Sequence, residues 1–276
     1  MAPLRLLSYL APSLPEELFE LIASELARRT GGPVSLDFER RVSGPTPEDD
    51  PFREERADLA FVCAPSYPLL REAGSPVALL PAAPVFADPR AQGRPVYFSD
   101  VVVSAGHPAR RFEELSGAIW CYNDRRSRSG WQNMLARLAD LGHAGGPEAF
   151  FGTLVQSGAH VRSLEMVAAG EADAAAIDSN TLWLALDRDP AIGARFRVVE
   201  SWGPMPIQPV LAHARLEADR RARIGAALLS LHEEDSVRSR LARFGVTRFA
   251  RVEEASYSRL ESLPTLRPAG APPSLD

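Results

Sequence analysis

The run Ala57-Asp58-Leu59-Ala60-Phe61-Val62 returns later in the chain as Ala172-Asp173-Ala174-Ala175-Ala176-Ile177. In each copy an acid precedes a short, continuously apolar stretch, the pattern of a strand buried on both faces. Each copy arrives late in its half, after segments that read as strands and helices. A chain of this kind has to cover two central strands with helices. The repeat therefore predicts two similar α/β lobes. With 276 residues, 45% of them hydrophobic, the chain has core enough for two lobes of ordinary size.

The remaining segments fit that plan. Leu4 to Leu10 reads as a first strand. Ser13-Leu14-Pro15-Glu16 has capping-box spacing, with Pro early in the first turn. Leu18, Leu21, Ile22 and Leu26 follow on one helical face, and Gly31-Gly32 ends the helix. Val34 to Phe38 is a second strand, Val77 to Val85 an apolar segment, and Pro95 to Val103 a long strand. In the second half, Ala118 to Tyr122 reads as a strand. Ser127-Arg128-Ser129-Gly130 opens a helix with Trp131, Met134, Leu135 and Leu138 along one side. Thr153 to Ser157 is a strand and Val161 to Ala169 a helix. Phe196 to Trp202 and Val210 to Ala212 are strands. Helices follow at 216–231 and 235–244, the second ending at Gly245. The proline-rich stretch 263–276 is expected to be disordered.

Charge and residue usage exclude several functions. The net charge of -5 argues against a nucleic-acid partner. The chain contains no lysine, so Schiff-base chemistry and a Walker-type phosphate lysine are ruled out. Cys63 and Cys121 are far apart, each inside an apolar run. They read as buried small hydrophobes, and no metal-ligand spacing surrounds them. No catalytic serine elbow, dinucleotide-binding glycine motif or zinc-protease motif is present. No cofactor is expected. The first twelve residues are too short and too polar in their apolar part to read as a signal peptide.

Three strand-to-helix junctions stand out: Tyr9 to Ser13, Asn123 to Gly130, and Ser157 to His160. In open α/β sheets ligands sit beyond the carboxyl ends of strands, where helix N-termini offer unpaired N–H groups. Ser127 and Ser129 add hydroxyls, Gly130 allows close approach, and Arg125, Arg126 or Arg128 can supply charge. The plainer alternative is that Ser127 or Ser129 is an N-cap. His160 is either a helix-start residue or an anion donor. Asp178 ends an apolar strand, as a cap for the next helix or as an acceptor for a protonated ligand atom. Facing a ligand O–H, it would favour monoprotonated oxyanions. Tyr9, Tyr67 and Tyr97 lie at predicted strand ends, as core aromatics or cleft residues.

At these residues the chain resembles the phosphate/phosphite/phosphonate-binding proteins of ABC transporters, within the type 2 periplasmic-binding-protein superfamily. The matching segments are Ala57 to Cys63, Pro95 to Val103, Ser127 to Gly130, Ser157 to His160, Ala172 to Asp178, and Gly203 to Pro209. The resemblance implies an α/β, two-lobed fold of two mixed sheets joined by two hinge strands. Lobe 1 would be residues 1–96 plus 203–262. Lobe 2 would be 97–202, with the hinge strands at its ends. Ser127 and Ser129, with the amides around Arg128, match an oxyanion-gripping turn, and His160 a ligand-contacting histidine. Tyr97 matches a cleft tyrosine, and Asp178 lies near a cleft-facing position. Tyr9 and Tyr67 transfer by loop position only. Asp124-Arg125-Arg126 departs from the usual lead-in to the turn.

The function implied is non-catalytic capture of a small phosphonate- or phosphate-like oxyanion for a transporter permease, by a monomer. The location implied is periplasmic, although no export signal is visible in the sequence, which leaves the cytoplasm open. The alternatives are a cytoplasmic enzyme performing chorismate-dehydratase-like elimination, with Asp178 as its acid, and a ligand-sensing domain.

Overall fold

The two Ala-Asp runs become the central strands of two five-stranded sheets. The computed structural model describes residues 3–143 and 145–258, so the predicted disordered tail lies outside the described residues. The first sheet contains β1 (Leu4–Ser8), β2 (Val34–Phe38), β3 (Leu59–Phe61), β4 (Val77–Leu79) and β11 (Val210–His213), in the order β2-β1-β3-β11-β4. The second contains β6 (Val96–Ser104), β7 (Ile119–Tyr122), β8 (Thr153–Gln156), β9 (Ala174–Asp178) and β10 (Phe196–Pro206), in the order β8-β7-β9-β6-β10. The two orders correspond strand for strand. Each has a parallel pair outermost, then the Ala-Asp strand, then two antiparallel strands. A further pair, β5 (Ala83–Phe86) and β12 (Val246–Ala250), is antiparallel. The single apolar segment expected at Val77–Val85 is thus two strands, β4 and β5, in different sheets.

The acid of each Ala-Asp run has the same local task. Asp58 Oδ2 accepts the amide of Arg5 at 2.9 Å, and the Asp58 amide returns a bond to the Arg5 carbonyl at 2.9 Å. Asp173 Oδ2 accepts the amide of Ile119 at 2.7 Å, and its own amide donates to the Ile119 carbonyl at 2.9 Å. The carboxylate supplies the acceptor that a parallel ladder lacks at its first residue. In the first lobe the guanidinium groups of Arg5 and Arg215 also hold Asp58, at 3.1 and 2.6 Å.

Helices cover the sheets: α1 (Glu16–Thr30), α2 (Ser66–Glu72), α7 (Ala218–Leu229), α8 (Asp235–Ala242) and α9 (Ala255–Ser258) with the first, α3 (Asn133–Asp140), α4 (Pro147–Phe150), α5 (His160–Ala169) and α6 (Ser179–Arg188) with the second. α1 buries Leu18, Leu21, Ile22 and Leu26, the face its spacing predicts. In the second sheet both faces are buried. Val101, Val103, Ala174 and Ala176 meet a cluster of Phe112, Trp120 and Phe151 on one side. Val102, Ala175 and Ile177 meet Leu164 and Val167 on the other.

Two expectations at helix starts are corrected. The capping box at Ser13 does not form: Pro15 is the N-cap of α1, and no side chain caps it. Residues 128–132 form a π turn before α3 begins at Asn133, where the sequence predicts ordinary helix.

The chain passes between the sheets on β6 and β10, which pair antiparallel from Ser104↔Phe196 to Val96↔Pro206, with irregularities near Val198 and Trp202. Arg90 grips this crossing. It donates to both carboxylate oxygens of Asp100 on β6, each at 2.8 Å, and to Asp88 at 2.7 Å. Asp100 is buried and also accepts from Ser201 on β10.

Candidate functional site

Strands β7 and β9 run parallel, so their carboxyl ends point the same way, and both deliver polar residues to the space between the lobes. From β7 the chain continues into Asn123, Asp124 and the Ser127–Gly130 turn. Strand β9 ends in Asp178. Helix α5 begins at His160. A cavity of about 30 Å³ lies among them, also lined by Tyr9, Ser13, Ser43 and Cys63 of the first lobe and by Gln208. That volume holds a water or two.

Ser127 is the N-cap of the π turn, its Oγ accepting the Gly130 amide at 3.1 Å, and it also lines the cavity. The capping and cleft readings of this residue therefore coexist. Ser129 Oγ lies 3.1 Å from His160 Nε2. Gly130 has no room for a side chain: a Cβ there would come within 2.0 Å of Asn123 Oδ1 and 3.3 Å of His160 Cε1. The Ser157–His160 loop turns at Gly158, whose φ of +88° suits glycine. It delivers a histidine only 2% exposed.

His160 is tied on two sides and bare on a third. Its amide donates to Ser13 Oγ of the first lobe at 3.1 Å. Its Nε2 lies 3.8 Å from Asp178 Oδ2. Its Nδ1 is buried without a hydrogen-bond partner. Asp178 makes no side-chain cap to α6, which removes the capping reading. Gln208 donates to its Oδ2 at 2.9 Å, while Oδ1 is buried and unpartnered, as is Asn123 Oδ1. Burial raises the Asp178 carboxyl above its ordinary value. His160, Ser129 and Gln208 pull it back, and Asp100 adds repulsion. Burial also pushes the Cys63 thiol up to about 12, so it faces the cavity as a neutral group.

The other predicted residues divide. Tyr9 lines the cavity, and burial, reinforced by Asp49, raises its hydroxyl further. Tyr97 is fully buried on the hinge strand, with its hydroxyl unpartnered, and burial raises it well above the ordinary range. Arg128 sends its amide to Cys63 Sγ at 3.4 Å, but its side chain faces a different cavity behind the hinge. Tyr67 lies outside the site: its hydroxyl donates to Glu254 at 3.0 Å and its ring meets Tyr257 edge-on.

Sequence reasoning named Asn123 and Ser13 only as ends of two junctions and did not single out Gln208 or Ser43, all four of which line the cavity. Ser13 had a local reading as a cap that concealed its long-range partner. Gln208 carries no signal beyond its place in a proline-flanked segment. The lead-in that departs from the family pattern has a structural task. Arg126 crosses to the Gly44 carbonyl at 3.0 Å, beside a Ser43–Asp124 bond of 3.3 Å.

The cavity behind the hinge is larger, about 650 Å³. The convergence of an acid, a histidine and hydroxyls nevertheless marks the small one as the candidate ligand site. Among the described residues no cluster of His, Cys, Asp or Glu is arranged to hold a metal ion, and no helix is long and apolar enough to cross a membrane.

Residues 6–257 match the family model "ABC transporter, phosphonate, periplasmic substrate-binding protein". The chain belongs to this family. Its fold is the two-lobed type 2 periplasmic-binding-protein fold, and it is a substrate-binding protein of an ABC transporter rather than an enzyme. A small ligand and a transporter permease are its partners, and the family is periplasmic.

Among solved structures, a binding protein component of an ABC phosphonate transporter from Pseudomonas aeruginosa superposes with a TM-score of 0.79 at 14% identity, covering 95% of this chain and 86% of that one. PhnD1 from Prochlorococcus marinus, in complex with methylphosphonate, gives 0.76 at 17% identity, covering 94% and 96%. XAC2383 from Xanthomonas citri, bound to ATP, gives 0.68 at 18% identity, covering 95% and 96%. These likenesses concern the fold. No curated protein matches the chain.

Proposed function

We propose that the inter-lobe cavity captures a phosphonate or phosphate monoanion for the transporter. The observation that carries this reading is the convergence of bare polar atoms, His160 Nδ1, Asp178 Oδ1 and Asn123 Oδ1, on one small space between the lobes. Ser127, Ser129, Tyr9 and His160 donate to the anionic oxygens, with the amides around Arg128. Asp178 accepts a hydrogen bond from an O–H of the anion, the single one of a phosphonate monoanion or one of the two on phosphate monoanion. Tyr97 backs the site from the hinge strand. Tyr67, turned toward Glu254, has no part in it. The two moving bodies are residues 1–96 with 203–262, and residues 97–202, of which 1–2, 144 and 259–262 lie outside the described residues. The protein acts as a monomer in the periplasm, the location of its family.

The test is isothermal titration with methylphosphonate, phosphate and sulfate at neutral pH. Methylphosphonate or phosphate should bind. Sulfate offers Asp178 no proton and leaves two acceptors face to face, so it should bind at least roughly 100-fold more weakly. Equal binding of sulfate would remove Asp178 from the site. Absence of binding by both phosphorus anions at millimolar concentration would count against the reading as a whole.

A further inference from the structure

The cavity of about 650 Å³ behind the hinge has the size of a small-molecule site, roughly 300–1,000 Å³. Its walls come from four parts of the chain, Arg128 of the π turn and three others. The entry to β6 supplies Arg94, Pro95 and Val96, the end of β10 supplies Pro204 and Met205, and the approach to α9 supplies Arg251. Three arginines, Arg94, Arg128 and Arg251, are among the residues that line it, against one acid, Glu253. This local excess of positive charge sits in a chain whose net charge is -5.

Arg128 gives the cavity its meaning. The residue is only 9% exposed, and among the described residues its Nε and Nη1 have no hydrogen-bond partner. The ionisable groups acting on it are Tyr97 and Cys63, both kept neutral by their own burial. A guanidinium does not deprotonate in a protein. Taken out of water without a counter-ion, it is a costly group. The missing partner has to be an acceptor with charge, and the open side of this arginine is the cavity.

We propose that the hinge cavity is a second binding site, for an organic oxyanion. Its charged head lies on Arg128, with Arg94 and Arg251 at the mouth, and its apolar body rests along Pro95, Val96, Pro204 and Met205. A phosphate or a carboxylate head supplies the same acceptor chemistry. The site is separate from the inter-lobe cavity and does not depend on what that cavity holds.

Isothermal titration of the full chain with phenyl phosphate and with benzoate tests the assignment. At least one probe should bind the wild type, and should bind His160→Ala equally well, because His160 belongs to the other cavity. Arg251→Ala should weaken that binding about tenfold, the loss of one charge-assisted bond. Arg94→Ala, on a different segment, should act in the same direction. A preference for phenyl phosphate assigns a phosphate head, and a preference for benzoate a carboxylate. The proposal is overturned if neither probe binds at millimolar concentration. It is equally overturned if His160→Ala abolishes binding that both arginine variants leave intact.

Discussion

Asp178 holds one oxygen satisfied by Gln208 and one bare toward the cavity. Because burial raises its carboxyl, the folded protein favours the protonated form more than the unfolded chain does. Its stabilising share is therefore fully present below the unfolded value and lost as pH rises through the folded one. Asp178→Asn should relieve this loss. Its melting temperature without ligand should be at least that of the wild type at neutral pH, with the difference shrinking toward pH 4; differential scanning calorimetry checks it, at roughly 2–4 °C per kcal/mol for a chain this size. The same protonation makes Asp178 a donor. The preference for phosphate over sulfate should accordingly narrow as pH falls, beginning above the ordinary aspartate range, and it should be absent in Asp178→Asn. Two cavity-lining residues were legible at this scale, Asp178 and His160, because each closes a pattern: an apolar strand ends in an acid, and a Ser-Gly turn opens a helix. Gln208 was not legible, because its partner lies 30 residues away and no local rule calls for a glutamine there.

At the scale of elements, the Ala-Asp repeat was the best guide to the sheets, and the structure supplies its physical reason. Both acids terminate a parallel ladder by accepting an amide near the start of the neighbouring strand, Arg5 of β1 and Ile119 of β7. Their surroundings differ. Asp58 is buried and carries two arginines, whereas the Asp173 side chain is 40% exposed. Asp58→Ala should cost about 2–3 kcal/mol, since it strands the Arg5 amide and takes one partner from two part-exposed guanidinium groups that keep Glu55. Asp173→Ala should cost about 1–2 kcal/mol. Urea unfolding of the two variants compares them, and equal losses would mean that the arginines add nothing. The central strands were readable because β3 and β9 are buried on both faces, so their apolar runs are uninterrupted. The π turn was not readable, because Ser127-Arg128-Ser129-Gly130 spells an ordinary helix start and only the bonds five residues apart, Gln132 to Ser127 and Asn133 to Arg128, show the wider turn. The capping box at Ser13 misled for the same reason: a hydroxyl suited to a local bond is used by a distant amide.

For the whole molecule, the crossing between the lobes rests on Arg90. Its two-oxygen grip on Asp100 ties the segment before β6 to both crossing strands, through Ser201 on β10. Arg90→Ala leaves Asp100 buried and without its charge partner. The loss should be about 3–5 kcal/mol, because breaking a buried pair costs more than the pair contributes. It should appear as a lower urea midpoint, whereas a variant as stable as the wild type would show that water replaces the guanidinium. The lobes also meet directly across the cavity. Ser13 accepts from His160 and, through its carbonyl, from Thr181 at 3.2 Å, while Ser43 reaches Asp124 and Arg126 reaches Gly44. The space these bonds enclose admits a water or two. A solute of several heavy atoms therefore passes only when the latch is undone. Capture then runs at the tempo of the latch, with association slower than diffusion allows and set by how often these bonds release together. Substitutions at Ser13 or Arg126 become changes of rate before they are changes of affinity.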